Sequence, residues 1–169
     1  PLDREVVCLS AGTAAVHLAL IGCGVKAGDE VLVQSFTFCA SSHPITYLGA
    51  KPVFVGSEGE TWNMDPELLE RAIIDRKEKT GRYPKAIVTV ALYGMPYRID
   101  RIMAIAAKYG IPVVEDAPYR RMLIIRIRIT SLRRIPHNII RILRIAADKR
   151  TSARSRNHLI AIESTHDTY

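Results

Sequence analysis

Short apolar runs alternate along most of this chain with longer segments whose apolar residues return every three or four positions. The runs at 5–9, 29–34, 52–55, 86–92 and 111–116 are rich in Val, Ile and Leu and predict strands, the later ones buried on both faces. Between them, residues 14–21 read as a helix that Gly22 and Gly24 stop. Residues 39–48 read as helical, with Pro44 calling for a late start or a kink. Asp65-Pro66 opens another helix, since Asp65 can cap free N–H groups and Pro66 at the first helical position loses no hydrogen bond. Leu68, Leu69, Ala72 and Ile73 then share one face, and Glu67, Glu70, Arg71, Asp75 and Arg76 lie around the other. Residues 99–109 are amphipathic, with Ile102, Ile105 and Ala106 on one side and Gly110 as the stop. Helices between short apolar strands imply right-handed crossovers. The expected fold over 5–117 is three-layer α/β with a mainly parallel sheet covered on both faces.

Composition alters this picture at one point in the chain. With 169 residues, 48% apolar and 24% charged, the chain is sized for one domain or a large part of one. That composition excludes a wholly disordered, collagen-like or disulfide-knot protein. No apolar run reaches the roughly 18 residues of a membrane-spanning helix. The start, Pro1-Leu2-Asp3-Arg4-Glu5, is charged, is not a signal peptide, and reads as the interior of a longer chain. Cys8, Cys23 and Cys39 have no metal-ligand or CxxC spacing and suggest reduced thiols in the cytoplasm. Residues 1–118 carry 12 basic and 14 acidic side chains, net −2, whereas 119–169 carry 12 basic and 3 acidic, net +9. All ten glycines and every valine lie in the first part, while the second has 11 Arg and 11 Ile. The chain therefore divides into 1–118 and a basic tail, 119–169.

In parallel sheets ligands bind beyond the carboxyl ends of the strands, and three features of the sequence fall there. Ser10-Ala11-Gly12-Thr13 marks a strand-to-helix junction. Its N–H groups and the positive helix end suit an anion, Gly12 admits a phosphate to the backbone, and Thr13 adds a hydroxyl. The alternative is an ordinary helix cap. Neither a GxxxxGK[ST] nor a GxGxxG loop is present, which disfavours nucleoside triphosphates and dinucleotides. In Ser35-Phe36-Thr37-Phe38 an aromatic could stack on a planar ligand, or could simply belong to the core. Glu115-Asp116 could hold a protonated ring nitrogen or a metal, or could cap a helix or pair with a cation. Together, a phosphate cradle, an aromatic plate and a carboxylate suit pyridoxal 5′-phosphate, whose ring nitrogen a carboxylate keeps protonated.

These segments also resemble, in order, six blocks of the DegT/DnrJ/EryC1/StrS family of sugar aminotransferases, which use that cofactor. The blocks begin with Ser10-Ala11-Gly12-Thr13-Ala14-Ala15-Val16-His17-Leu18-Ala19-Leu20. Gly28-Asp29-Glu30-Val31 follows with Phe36-Thr37-Phe38-Cys39-Ala40-Ser41, and then Gly49-Ala50-Lys51-Pro52-Val53-Phe54-Val55. The last three are Thr61-Trp62-Asn63-Met64-Asp65-Pro66, Leu92-Tyr93-Gly94-Met95-Pro96 and Ile111-Pro112-Val113-Val114-Glu115-Asp116-Ala117. The resemblance implies part of a fold-type-I aminotransferase large domain. By position, Gly12 and Thr13 would hold the phosphate, Phe38 would stack on the ring, and Asp116 would pair with its nitrogen. It also implies a nucleotide-linked keto-sugar substrate, glutamate or glutamine as amino donor, and a homodimer with the site at the subunit interface.

The chain departs from the family's pattern in two places. Ala91 stands where that pattern has His. After Ala117 the family runs on through glycines to an SFxxxK motif bearing the Schiff-base lysine. Here Pro118 breaks the register, and the tail holds one lysine, Lys149, in a context unlike that motif. No catalytic residue is therefore assigned, and this chain alone is expected to be inactive. In the tail, Ile and Arg alternate with a strand-like period at 124–129 and 139–145. A shifted reading frame accounts for the abrupt change of composition; the alternatives are a recombination or a partner-binding extension. As a rival function, a non-catalytic protein could use this basic tail on nucleic acid or an anionic surface. No recognised nucleic-acid module supports that reading.

Overall fold

The computed structural model describes residues 6–9, 11–119, 122–129 and 158–164. In chain order the elements are β1 (Val6–Leu9), α1 (Gly12–Gly22), β2 (Glu30–Gln34), α2 (His43–Tyr47) and β3 (Lys51–Val55). They continue with α3 (Pro66–Thr80), β4 (Ala86–Val90), α4 (Ile99–Tyr109), β5 (Val113–Tyr119), β6 (Met122–Ile129) and β7 (His158–Ser164). The strands form one sheet in the order β1-β7-β6-β5-β4-β2-β3. The four strands β3, β2, β4 and β5 run parallel. β6 is antiparallel to β5 and parallel to β7, and β1 is antiparallel to β7.

Side-chain alternation on the central strands builds two apolar layers, one on each face. Val31, Val33, Val88 and Val114 face α1 and α2, packing on Ala15, Val16, Ala19, Leu20 and Ile45. Leu32, Ile87 and Val113 face the other way, onto Leu69 and Ile73 of α3 and Ile102 and Ala106 of α4. A strand buried on both faces has no use for polar positions, which is why these read as continuous apolar runs. Each fully buried Leu or Ile contributes about 1.5–3 kcal/mol. The expected three-layer α/β fold is what forms.

Local chemistry explains the element boundaries. Asp65 caps α3 by accepting from the N–H groups of Glu67 and Leu68, at 2.7 and 3.3 Å. Gly110 ends α4 at φ 65°, a left-handed turn that a glycine adopts without a side-chain clash. The segment 39–48 divides into a short 3₁₀ turn (Cys39–Ser41) and α2, so Pro44 falls in the first turn of the later helix. On the surface, Lys108 and then Tyr109 hydrogen-bond the Glu70 carboxylate and hold its pKa below the usual range, tying α4 to α3.

β5 runs past the expected end at Asp116 and through Pro118. The β4–β5 ladder stops at Val90↔Asp116, and beyond it β5 pairs with β6. A stretch paired on one side tolerates a residue without an N–H. The strand period of the first Ile-Arg run is realised as β6, which pairs with β5 and β7. The second run, 139–145, lies outside the described residues. Among the described residues no helix is long and apolar enough to cross a membrane.

Cys23 and Cys39 are both free thiols, the first buried and the second exposed. Burial pushes the Cys23 thiol up to about 12, with the charge of Lys85 opposing it weakly. Because the thiolate is the nucleophile, Cys23 stays unreactive at every pH well below that value. Iodoacetamide labelling at pH 8 followed by peptide mapping should therefore modify Cys39 in the folded chain and Cys23 only after denaturation.

Candidate cofactor-binding site

Strand order reverses between β2 and β4: the chain leaves β2 for β3 on one side, then returns past β2 to β4. Such a reversal opens a crevice at the carboxyl ends of the two strands. A cavity of about 380 Å³ lies there. Its walls are the start of α1 (Gly12, Thr13), the segment after β2 (Thr37, Phe38, Ala40, Ser41), the end of β4 and its following turn (residues 90–93), and Asp116. All four residues expected to bind the cofactor, Gly12, Thr13, Phe38 and Asp116, line this one cavity.

The α1 wall is the anion-friendly one. Ala11 stands at the N-cap in extended backbone, φ −151° and ψ 149°, with no side-chain cap. The Ala15 N–H reaches back to the Ala11 carbonyl at 3.1 Å, so the N–H groups preceding it find no partner within the helix. They point out of the positive end of the helix, toward the cavity that Gly12 and Thr13 line. A side-chain cap of the ordinary kind is found on α3, through Asp65, and not here. Ser10 lies outside the described residues.

Asp116 sits where the parallel ladder ends, in register with Val90. Ser41, 1% exposed, donates from Oγ to Asp116 Oδ2 at 2.8 Å. The Thr37 hydroxyl lies 3.1 Å from the Ser41 hydroxyl. Glu115, the other carboxylate of the pair, is buried and in register with Thr89, and it does not line the cavity. Phe38 is 75% exposed, so the reading of it as a core aromatic gives way to a ring presented to solvent at the cavity. Among the described residues no lysine lines the cavity, and Lys149 lies outside them. Ala91, in the position where the family pattern has His, lines the wall with a methyl group.

The loops at this edge are held by two buried amides. Asn63 accepts from the Leu92 N–H at 3.0 Å and donates to the Met95 carbonyl at 3.0 Å and the Thr61 hydroxyl at 3.2 Å. Thr61 in turn hydrogen-bonds Glu58. Gln34 accepts from the Met64 N–H at 2.9 Å and donates to the Phe36 carbonyl at 2.8 Å. Trp62 (φ 61°) and Tyr93 (φ 51°), each beside an Asn63 hydrogen bond, are the only non-glycine residues with positive φ among those described. Each such backbone costs about 1–3 kcal/mol and persists only where its surroundings over-determine it. Phe36, Trp62 and Tyr93 join Phe38 as exposed rings, and exposed apolar clusters of this kind mark contact surfaces. Sequence reasoning did not single out Ser41, Asn63 or Tyr93 for a role. The available signals were the four-residue spacing of Thr37 and Ser41, and an Asn between an aromatic and a helix cap.

The solved structures that resemble this three-layer α/β sheet are fold-type-I aminotransferases. Residues 3–119 match the DegT/DnrJ/EryC1/StrS aminotransferase family, and the chain belongs to that family. Among its relatives is the UDP-2-acetamido-2-deoxy-3-oxo-D-glucuronate aminotransferase of Pseudomonas aeruginosa. It is 46% identical over 112 residues, which are 65% of this chain and 29% of that protein. The crystal structure of a DegT DnrJ EryC1 StrS aminotransferase from Brucella abortus aligns with a TM-score of 0.64 at 38% identity, covering 68% of this chain and 31% of that one. The structure of ntda from Bacillus subtilis with bound cofactor PMP aligns with a TM-score of 0.60 at 32% identity, covering 66% and 24%. The chain thus spans less than a third of the length of these proteins.

Replacing the fully buried Asn63 with Ala strips the partners from the Leu92 N–H and the Met95 carbonyl at once. The expected loss is about 2 kcal/mol of stability, measured by urea unfolding, with faster hydrogen exchange at the Leu92 amide.

Proposed function

We propose that residues 1–118 are the cofactor-binding part of a pyridoxal 5′-phosphate-dependent aminotransferase. Its substrate would be a nucleotide-linked keto-sugar, its amino donor glutamate or glutamine, and its working form a cytoplasmic homodimer. The observation that carries this reading is the pairing of two unlike poles in one cavity, the uncapped start of α1 and the Ser41-held Asp116. The UDP-linked 3-oxo sugar named for the Pseudomonas relative and the PMP bound in the Bacillus structure support the substrate and cofactor classes.

The residues present fit the cofactor. Gly12 and Thr13 would hold its phosphate through amide N–H groups and a hydroxyl. Phe38, exposed beside the cavity, would cover a face of the ring and lose its unfavourable contact with water. Asp116 would pair with the ring nitrogen and hold a proton there. When bound, the cofactor supplies an electron sink for carbanion chemistry at the amino-bearing carbon. Since the described part of the cavity offers no lysine, this chain would hold the cofactor noncovalently and would lack the usual proton-shuttling base.

Pyridoxamine 5′-phosphate, which forms no Schiff base with surface lysines, is the probe for binding. By calorimetry the full chain should bind it at one site, and Asp116→Ala should weaken binding by roughly ten- to a hundredfold, the value of a hydrogen bond to a charged group. Absence of binding by the wild-type chain would sink the reading. In a separate measurement, pyridoxal 5′-phosphate followed by borohydride should leave no pyridoxyl-lysine whose formation the pyridoxamine form blocks. Such an adduct on Lys149, with turnover of a keto-sugar, would overturn the claim that this chain is inactive.

A further inference from the structure

We propose that Ser41 is a positioning residue for Asp116, and that Thr37 and Ser41 form a directional hydroxyl chain that orients the carboxylate and favours its charged form. The proposal rests on the cofactor reading and deepens it. The 3₁₀ turn Cys39–Ser41, closed by the Ser41 N–H on the Phe38 carbonyl at 3.1 Å, turns the Ser41 side chain inward, where it is 1% exposed. A serine hydroxyl has one proton. That of Ser41 goes to Asp116 Oδ2 at 2.8 Å, because an ionised carboxylate can only accept. The Thr37 hydroxyl, 3.1 Å away, must then donate to Ser41. Hydroxyls linked in this sense polarise one another, and the last bond in the chain gains strength. A donor aimed at the charged form lowers a carboxyl's pKa.

The hydroxyls act on the carboxylate, while the backbone of Asp116 is held separately. The β4–β5 ladder fixes the backbone of Asp116, and the Ala91 N–H adds a bond to its carbonyl oxygen at 3.1 Å. Both contacts act on the backbone, and Ala91, where the family pattern has His, carries only a methyl group. Among the described residues, the titratable groups on the elements around Asp116 are Glu115 beside it on β5, Tyr93 in the turn after β4 and exposed Cys39 after β2, and β6 carries Arg126 in register with Glu115.

The test compares the affinity of the full-length chain for pyridoxamine 5′-phosphate and for inorganic phosphate across pH 3–7, in wild type, Ser41→Ala, Ser41→Thr and Thr37→Val. Ser41→Ala should bind the pyridoxamine form about tenfold more weakly at neutral pH. Its affinity should also fall away at a pH about one unit higher than in wild type as the solution is acidified, because the carboxyl now protonates more easily. Titration of the ligand itself is common to both proteins and cancels in the comparison. Inorganic phosphate, which has no ring nitrogen, should bind both proteins within about twofold. Ser41→Thr keeps the hydroxyl and should restore the wild-type acid limb. Thr37→Val acts at the far end of the chain and should give a smaller shift in the same direction, which keeps the proposal open to refutation if Ser41→Ala fails to fold. Equal pyridoxamine binding and an unmoved acid limb in both variants would overturn the proposal and leave the cofactor reading intact. Parallel loss of phosphate binding in Ser41→Ala would overturn it in favour of a packing role. A wild-type chain that bound no pyridoxamine form would remove both.

Discussion

The structure depends on one constraint: the central strands β2, β4 and β5 are apolar on both faces and must be covered on both. Leu32, Ile87 and Val113 need one layer of helices, and Val31, Val33, Val88 and Val114 need another. A chain that builds right-handed crossovers can cover two faces only by reversing its direction across the sheet. Here the reversal falls between β2 and β4. The cavity is thus a by-product of burying the sheet, and the residues lining it are those that follow strands whose own role is packing.

The cavity's edge carries features that do not follow from that packing. The start of α1 has no side-chain cap, as is also so at α2 and α4, whereas α3 is capped through Asp65. Trp62 and Tyr93 occupy left-handed backbone, and four aromatic rings stand in water at this edge. The compensation comes from Asn63 and Gln34, both fully buried, each joining two loops that would otherwise be independent. Core and site therefore use different chemistry: nondirectional apolar contact for one, a few directed amide and hydroxyl bonds for the other.

This division explains how much could be read from the sequence. The α3 start at Asp65-Pro66, the α4 span at 99–109 and the layers they cover follow from local spacing, and the structure agrees with each. That Gly12, Thr13, Phe38 and Asp116 would share one cavity was legible because clefts of parallel sheets open at strand ends, and family motifs marked those positions. The Ser41–Asp116 bond was not legible, since no local pattern links residues on β5 and after β2. The continuation of β5 through Pro118 was missed for a related reason. A proline is a breaker only where its N–H is needed, and that depends on which neighbours a strand has. The antiparallel β5–β6 pairing likewise depends on a partner whose composition differs from everything before it.

The bond that orients the cavity's carboxylate joins residues 75 positions apart. Between them lie α2, β3, α3, β4 and α4, so the loop it closes contains most of the described fold. Helices and short-range turns form early in folding, while contacts of large sequence separation wait for the entropy of loop closure to be met. A nascent chain that had completed β2, β3 and their helices would already possess an apolar core, yet it would have no cavity at all. The cavity's carboxylate is therefore in place only once β5 has docked beside β4.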